Sequence, residues 1–120
     1  MKTPKAKNTD KQPPKGEIIL FLADSGRTKI QVRIEEKTVW LSQKNMSELY
    51  QVSVPSVNEH LTHIYDENEL EPETTIRKFP IVQLEGRREV TRIVVHYNLD
   101  TILTVGYRLM RDLTQRGLLQ

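Results

Sequence analysis

The sequence predicts a single α+β domain, and three observations lead there. Apolar and polar residues alternate at Ile30, Val32 and Ile34, the two-residue period of a half-buried strand. The period then lengthens to that of a helix at Met46, Leu49 and Tyr50, and again at Val57, Leu61, Ile64 and Tyr65. Leu, Ile, Val and Phe supply 34 of the 120 residues, well above the roughly 20% below which a charged chain stays disordered. A chain of this length fits one domain and excludes a large multi-domain enzyme.

The elements follow in order. Residues 1–16 carry Lys2, Lys5, Lys7, Lys11 and Lys15 against Asp10, with Pro4, Pro13, Pro14 and Gly16 between. Burial there cannot offset ordering entropy, so a disordered basic tail is expected over 1–16 and the folded domain over 17–120. The whole chain is +2 and the tail alone +4, leaving −2 for the rest. A uniformly basic body is thereby excluded. Ile18-Ile19-Leu20-Phe21-Leu22, the turn residues Asp24-Ser25-Gly26, and the alternating Ile30, Val32 and Ile34 predict two strands joined by a turn. Val39-Trp40-Leu41 predicts a third strand, with Trp40 in the core.

Ser42 caps the first helix. Residues 51–53 interrupt it, and Ser53 caps a second that tolerates Pro55 in its first turn and ends near Glu67. Residues 76–84 and 90–97 predict strands around a hairpin tip, Glu85-Gly86-Arg87-Arg88, and Pro80 sends the first to an edge or a bulge. Asn98 caps a final helix whose expected apolar side holds Leu99, Ile102, Leu103, Val105 and Tyr107.

Two short helices around a tight turn must bury one another's faces. Met46 and Tyr50 serve the first, Val52 the turn, Val57 and Leu61 the second, and small Ser47 suits the crossing. Such a layout is a helix-turn-helix, whose second helix presents its N-terminal residues to the major groove. Gln51 stands where such turns usually carry Gly, so either a left-handed conformation there costs about 1 kcal/mol or the turn differs. The expected base-contacting residues are Ser53, Pro55, Ser56, Asn58, Glu59 and Thr62, since Asn pairs with adenine and Glu with cytosine N4. That helix contains no Lys or Arg. Phosphate contacts are therefore expected from Lys44 and from Arg87 and Arg88 on the hairpin, which would act as a wing. With flanking strands and the C-terminal helix, the expected fold is a small winged helix-turn-helix-like domain.

Other chemistries find less support. His60, His63 and Glu67 can share a helical face, but no fourth ligand is apparent, and His96 reads as packing. Neither a nucleophile–base arrangement nor a Gly-rich phosphate loop occurs, so no enzyme and no cofactor are expected. The acids Glu59, Asp66, Glu67, Glu69, Glu71 and Glu73 offer an alternative: a protein-interaction surface over 59–73. With no cysteine, no apolar leader and no run of 18 apolar residues, a cytoplasmic protein without a membrane segment is expected.

From Glu17 to Arg108 the chain resembles the N-terminal part of the RhuM-family virulence proteins of bacteria. The motifs are Glu17-Ile18-Ile19-Leu20-Phe21, Val32-Arg33-Ile34-Glu35, Thr38-Val39-Trp40-Leu41-Ser42-Gln43 and Met46-Ser47-Glu48-Leu49-Tyr50. They continue through the helix from Val57 to Leu61, His96-Tyr97-Asn98-Leu99-Asp100 and Val105-Gly106-Tyr107-Arg108. Such a resemblance implies a DNA-binding regulator associated with virulence or mobile elements. Family members continue with a Lys/Arg-Gly-Thr-rich segment, from which Leu109 to Gln120 departs, so a truncated member or a domain fragment is expected. Double-stranded DNA is the expected partner, and a slightly acidic body makes a homodimer the expected binding form.

Overall fold

The computed structural model describes the backbone of residues 17–21 and all of residues 29–117. The expected tail at 1–16 and the turn Asp24-Ser25-Gly26 lie outside the described residues. The elements are β1 (Glu17–Phe21), β2 (Lys29–Glu35), β3 (Thr38–Leu41), α1 (Gln43–Tyr50), α2 (Val54–Asp66), α3 (Pro72–Thr75), β4 (Ile76–Glu85), β5 (Arg88–Asn98) and α4 (Leu99–Gln115). All strand pairings are antiparallel, in one sheet of order β1-β2-β3-β5-β4. The fold is α+β. Pro80 sits on β4, an edge strand of that order, where its missing N–H costs no ladder bond.

Local chemistry sets the helix starts. Ser42 accepts from the Asn45 N–H at 3.1 Å, Ser53 from the Ser56 N–H at 3.2 Å, and Asn98 from the Thr101 N–H at 3.3 Å. Between α1 and α2, Gln51 adopts the left-handed conformation at φ 57°. The Val52 N–H then returns to the Ser47 carbonyl at 3.0 Å, and the chain reverses within residues 51–53. Ser47 is buried, and its hydroxyl donates to the Lys44 carbonyl at 2.7 Å. The short helix α3 has no counterpart in the apolar pattern. A buried hydroxyl cluster ties it down: Tyr65 Oη lies 2.8 Å from Thr75 Oγ1 and 2.9 Å from Thr101 Oγ1.

The sheet has two buried faces. On one, Ile30, Val32, Leu41 and Tyr97 pack with Met46, Val57, Leu61, Ile64, Ile102 and Val105 of the helices. On the other, Phe79 meets Trp40 edge-on with centroids 5.7 Å apart and His96 edge-on at 5.2 Å. Arg33 lies over the Phe79 ring at 4.5 Å and Arg77 over Trp40 at 5.1 Å. Trp40 and His96 are therefore packing residues, as expected.

The final helix corrects one expectation. Its buried side is Thr101, Ile102 and Val105, while Leu99, Leu103 and Tyr107 face solvent. Two apolar stripes run along this helix, and the Asn98 cap fixes the phase that turns the first of them onto the core. Tyr50 closes the seam from α1 by donating its hydroxyl to the Ile102 carbonyl. A Cβ placed on Gly106 would lie 2.7 Å from that Tyr50 oxygen.

Two stability measurements follow. In urea titrations, Gln51→Gly should stabilise the domain by up to about 1 kcal/mol by removing the left-handed cost, and Gln51→Val should destabilise it. Gly106→Ala should destabilise by about 1–3 kcal/mol through overpacking, and Tyr50→Phe in the same chain should recover part of that loss.

Candidate nucleic-acid interface

β3 is too short to fill the sheet. It pairs with β2 only through Arg33↔Trp40, Ile34↔Val39 and Glu35↔Thr38, and with β5 only through Trp40↔Asn98 and Leu41↔Tyr97. Beyond Leu41, the outer parts of β2 and β5 run on in the same direction with no strand between them. The β1–β2 ribbon and the β4–β5 ribbon thus form the two arms of a fork, and α1 starts in the crotch. A groove of about 540 Å³ results. Lys29 and Gln31 line one wall, Gln83 and Val94 the other, and Gln43, Lys44, Asn45 and Glu48 lie along the start of α1.

Charge is distributed unevenly around this groove. Arg77 is bound by Glu36 at 2.8 Å, Arg92 by Glu85 at 2.7 Å and Arg116 by Asp112 at 3.1 Å. Lys29, Lys44, Arg87 and Arg88 are exposed and, among the described residues, have no ion-pair partner. Two of these four line the groove. The other two sit at the hairpin tip, where Arg88 pairs with Glu85, two residues or roughly 7 Å of strand beyond Gln83.

The residues expected to touch bases are divided by the structure. Ser53 spends its hydroxyl on the cap, and Ser56 is half-buried. Pro55, Asn58, Glu59 and Thr62 are exposed on α2. Asn58 is tethered: its side-chain oxygen accepts from Gln43 Nε2 at 3.1 Å, and the same nitrogen reaches Tyr97 Oη at 3.5 Å. Gln43 thereby links the exposed face of α2 to the groove. Thr62 donates to the Asn58 carbonyl at 2.9 Å, leaving its methyl and acceptor outward. The hairpin belongs to the five-stranded sheet and borders α1, so Arg87 and Arg88 reach outward from the groove side of the helix pair.

Lys29, Gln31, Gln43 and Gln83 were not legible as site residues. Each is an ordinary polar residue on a strand or in a first helical turn, and they converge only because β3 stops early.

The acidic stretch after α2 is partly neutralised. Arg108, nearly buried on α4, donates to Glu67 at 2.7 Å and to Glu69 at 2.9 Å. The bond from Arg108 holds the Glu67 carboxyl below its ordinary range. The clamp also occupies Glu67, the carboxylate that could share a helical face with His60 and His63, and no three His, Asp or Glu of the described residues are placed to hold a metal. No helix of the described residues is long and apolar enough to cross a membrane.

Comparison with family models, curated proteins and solved structures finds no match for this chain.

His60 supplies a pH test of this packing. Its Nδ1 is buried without a hydrogen-bond partner. Burial holds its pKa below the ordinary value; Asp112 and Glu59 oppose that, and Arg108 and His63 reinforce it. Between the folded and unfolded pKa values the folded chain binds fewer protons, so stability rises with pH there and is lost as pH falls below about 6.5. Thermal melts should show that loss on acidification to about pH 5.5, and His60→Gln should flatten the dependence.

Proposed function

We propose that this domain is a sequence-specific double-stranded DNA-binding module of a virulence- or mobile-element-associated regulator, and not an enzyme. In this reading the fold is a winged helix-turn-helix, with α1 and α2 as the helix pair and the β4–β5 hairpin as the wing. The observation that carries it is Asn58, exposed on the second helix and oriented by Gln43 at 3.1 Å. An amide offers a donor beside an acceptor, the pattern matched by adenine N6 and N7. Its oxygen has a second lone pair, so the Gln43 bond leaves that pairing open. Fixing the amide before binding also removes rotamer entropy that binding would otherwise cost. Glu59, one residue on, has acceptors for cytosine N4, and Thr62 one turn later presents a methyl group to thymine.

Affinity must come from elsewhere, since α2 has no cation of its own. Lys44, Arg87 and Arg88, joined by Lys29 in the groove, supply phosphate contacts, and four contacts correspond to a slope of roughly −3 to −4 in log K against log salt. The resemblance to RhuM-family proteins points the same way.

Selection from a random duplex pool at physiological salt tests the reading, with an enriched motif as the expected result. Asn58→Ala should then relax preference at one position by about 5–150-fold. Replacing both Arg87 and Arg88 by Ala should weaken all sequences alike and reduce the salt slope by about 2. If no motif is enriched and deleting residues 1–16 abolishes all binding, the tail alone is the binder and the proposal fails.

A further inference from the structure

β5 is 11 residues long, and β3 pairs with it through Tyr97 and Asn98 alone. On its other side, β4 pairs with it without a bulge from Arg88 to Tyr97. Among the described residues, no strand covers the inner edge of β5 from Arg88 to His96. Along such an edge, alternate residues turn their N–H and C=O groups outward. Val94, Val95, His96 and Tyr97 all line the groove. Successive side chains of a strand point to opposite faces, so an unbroken run of four borders the groove with the strand's edge. The His96 ring bonds the Val94 carbonyl at 2.9 Å. Beyond it, Arg88 to Ile93 lies open for roughly 20 Å.

The sheet guards its outer edge and not this one. Proline, bulges and charge discourage the addition of a strand, and β4 carries Pro80. From Val90 to Val95 the inner edge has neither proline nor bulge, and every residue but Arg92 is β-branched. Such residues suit a pleated, paired strand. Charge brackets the stretch. Lys29 and Lys44 stand in the groove at one end against Glu48, and Arg87 and Arg88 at the hairpin tip against Glu89. These four cations have no ion pair among the described residues, whereas Arg92, between the two ends, is held by Glu85 at 2.7 Å. An added strand therefore meets β-branched residues along its middle and an excess of positive charge at both ends.

We propose that the inner edge of β5 takes an extended segment of a partner protein as an added strand, with β-branched residues at its centre and carboxylates at both ends. Main-chain bonds give such strand addition its affinity, and side chains give it selectivity. A second copy of β5 is the poorer occupant. Paired in either direction, two copies set a basic end against a basic end, and like charges so placed oppose association. The association needs no nucleic acid, so it stands or falls separately from DNA binding.

Fluorescence anisotropy of the full chain, without DNA and at physiological salt, tests it with the labelled peptide Asp-Asp-Val-Thr-Val-Thr-Val-Asp-Asp. Saturable binding is expected, and Lys in place of the four Asp should abolish it. Methylating the backbone nitrogens of the five central residues removes the donors on both peptide edges and should weaken binding at least about tenfold. Lys29→Glu and Arg88→Glu, both at exposed positions, should each weaken it at least about threefold, and Lys37→Glu at the far end of β3 should not. Hydrogen exchange should slow at alternate amides between Arg88 and Ile93 when the peptide is added. No saturation up to about 1 mM peptide, a methylated or Lys-flanked peptide that binds as well as the parent, or protection confined to other elements would overturn the proposal. Protection of the same amides in the free chain as its concentration rises would give the edge to a second copy and overturn it as well.

Discussion

When the Ser42 hydroxyl accepts the Asn45 N–H, it starts a helix and in the same step ends β3 after four residues. A sheet strand cannot continue once its backbone donors turn inward to a helix. β2 and β5 therefore lose the neighbour they share, and the sheet opens into two ribbons with the first turn of α1 between them. The groove, the placement of Lys44 in it and the reach of Gln43 toward Asn58 all descend from that one cap. Trp40 and Leu41, the last residues of β3, then hold the two halves together from opposite faces. Trp40 meets Phe79 and the Arg77 guanidinium, and Leu41 joins the helical core.

The ion pairs decide which charges are left for other work. With twelve cations and thirteen acids over residues 29–117, the described body has almost no net charge. Its ion pairs remove Arg33, Arg77, Arg92, Arg108 and Arg116 from circulation. Those whose two partners are both exposed, at Arg77, Arg92 and Arg116, add little stability. Their greater effect is on the pattern of potential: among the described residues, Lys29 and Lys44 in the groove and Arg87 and Arg88 at the hairpin tip have no ion pair, as do Lys37, Lys78 and Arg111 elsewhere. Arg108 acts in the opposite sense on the far side, taking Glu67 and Glu69 out of the acidic stretch and fastening the end of α2 to α4.

The last helix joins these two themes. One stripe of it completes the core, and Tyr50 bonds to its backbone from α1. The other stripe is exposed among the described residues. Gly106 lies between them, and its missing side chain admits Tyr50. Any side chain at that position therefore acts on how α1 is seated.

Much of the fold was legible in the residues because its causes are local. A serine or asparagine before an apolar repeat, a two-residue alternation, a proline that cannot donate and a Glu-Gly-Arg-Arg tip each act over a few positions. They located the starts of α1, α2 and α4, the strands, an edge or a bulge for β4 and the exposed Asn58, Glu59 and Thr62. The left-handed Gln51 was one of two courses open to those residues, the other being a different turn, and the structure takes the first. What required the tertiary structure depends on distance. Which of two apolar stripes on α4 turns inward was settled by the phase set at Asn98 and the space left by Tyr50. Lys29 and Gln83 are 54 positions apart and share a groove only because β3 ends between their strands. The Arg108 clamp likewise joins residues about 40 positions apart, and no local period can encode such a meeting. The sequence alone determined where the three longer helices and the strands begin. Packing determined which charges cancel, which apolar face remains open and where a partner could be held, because those outcomes depend on the space between elements.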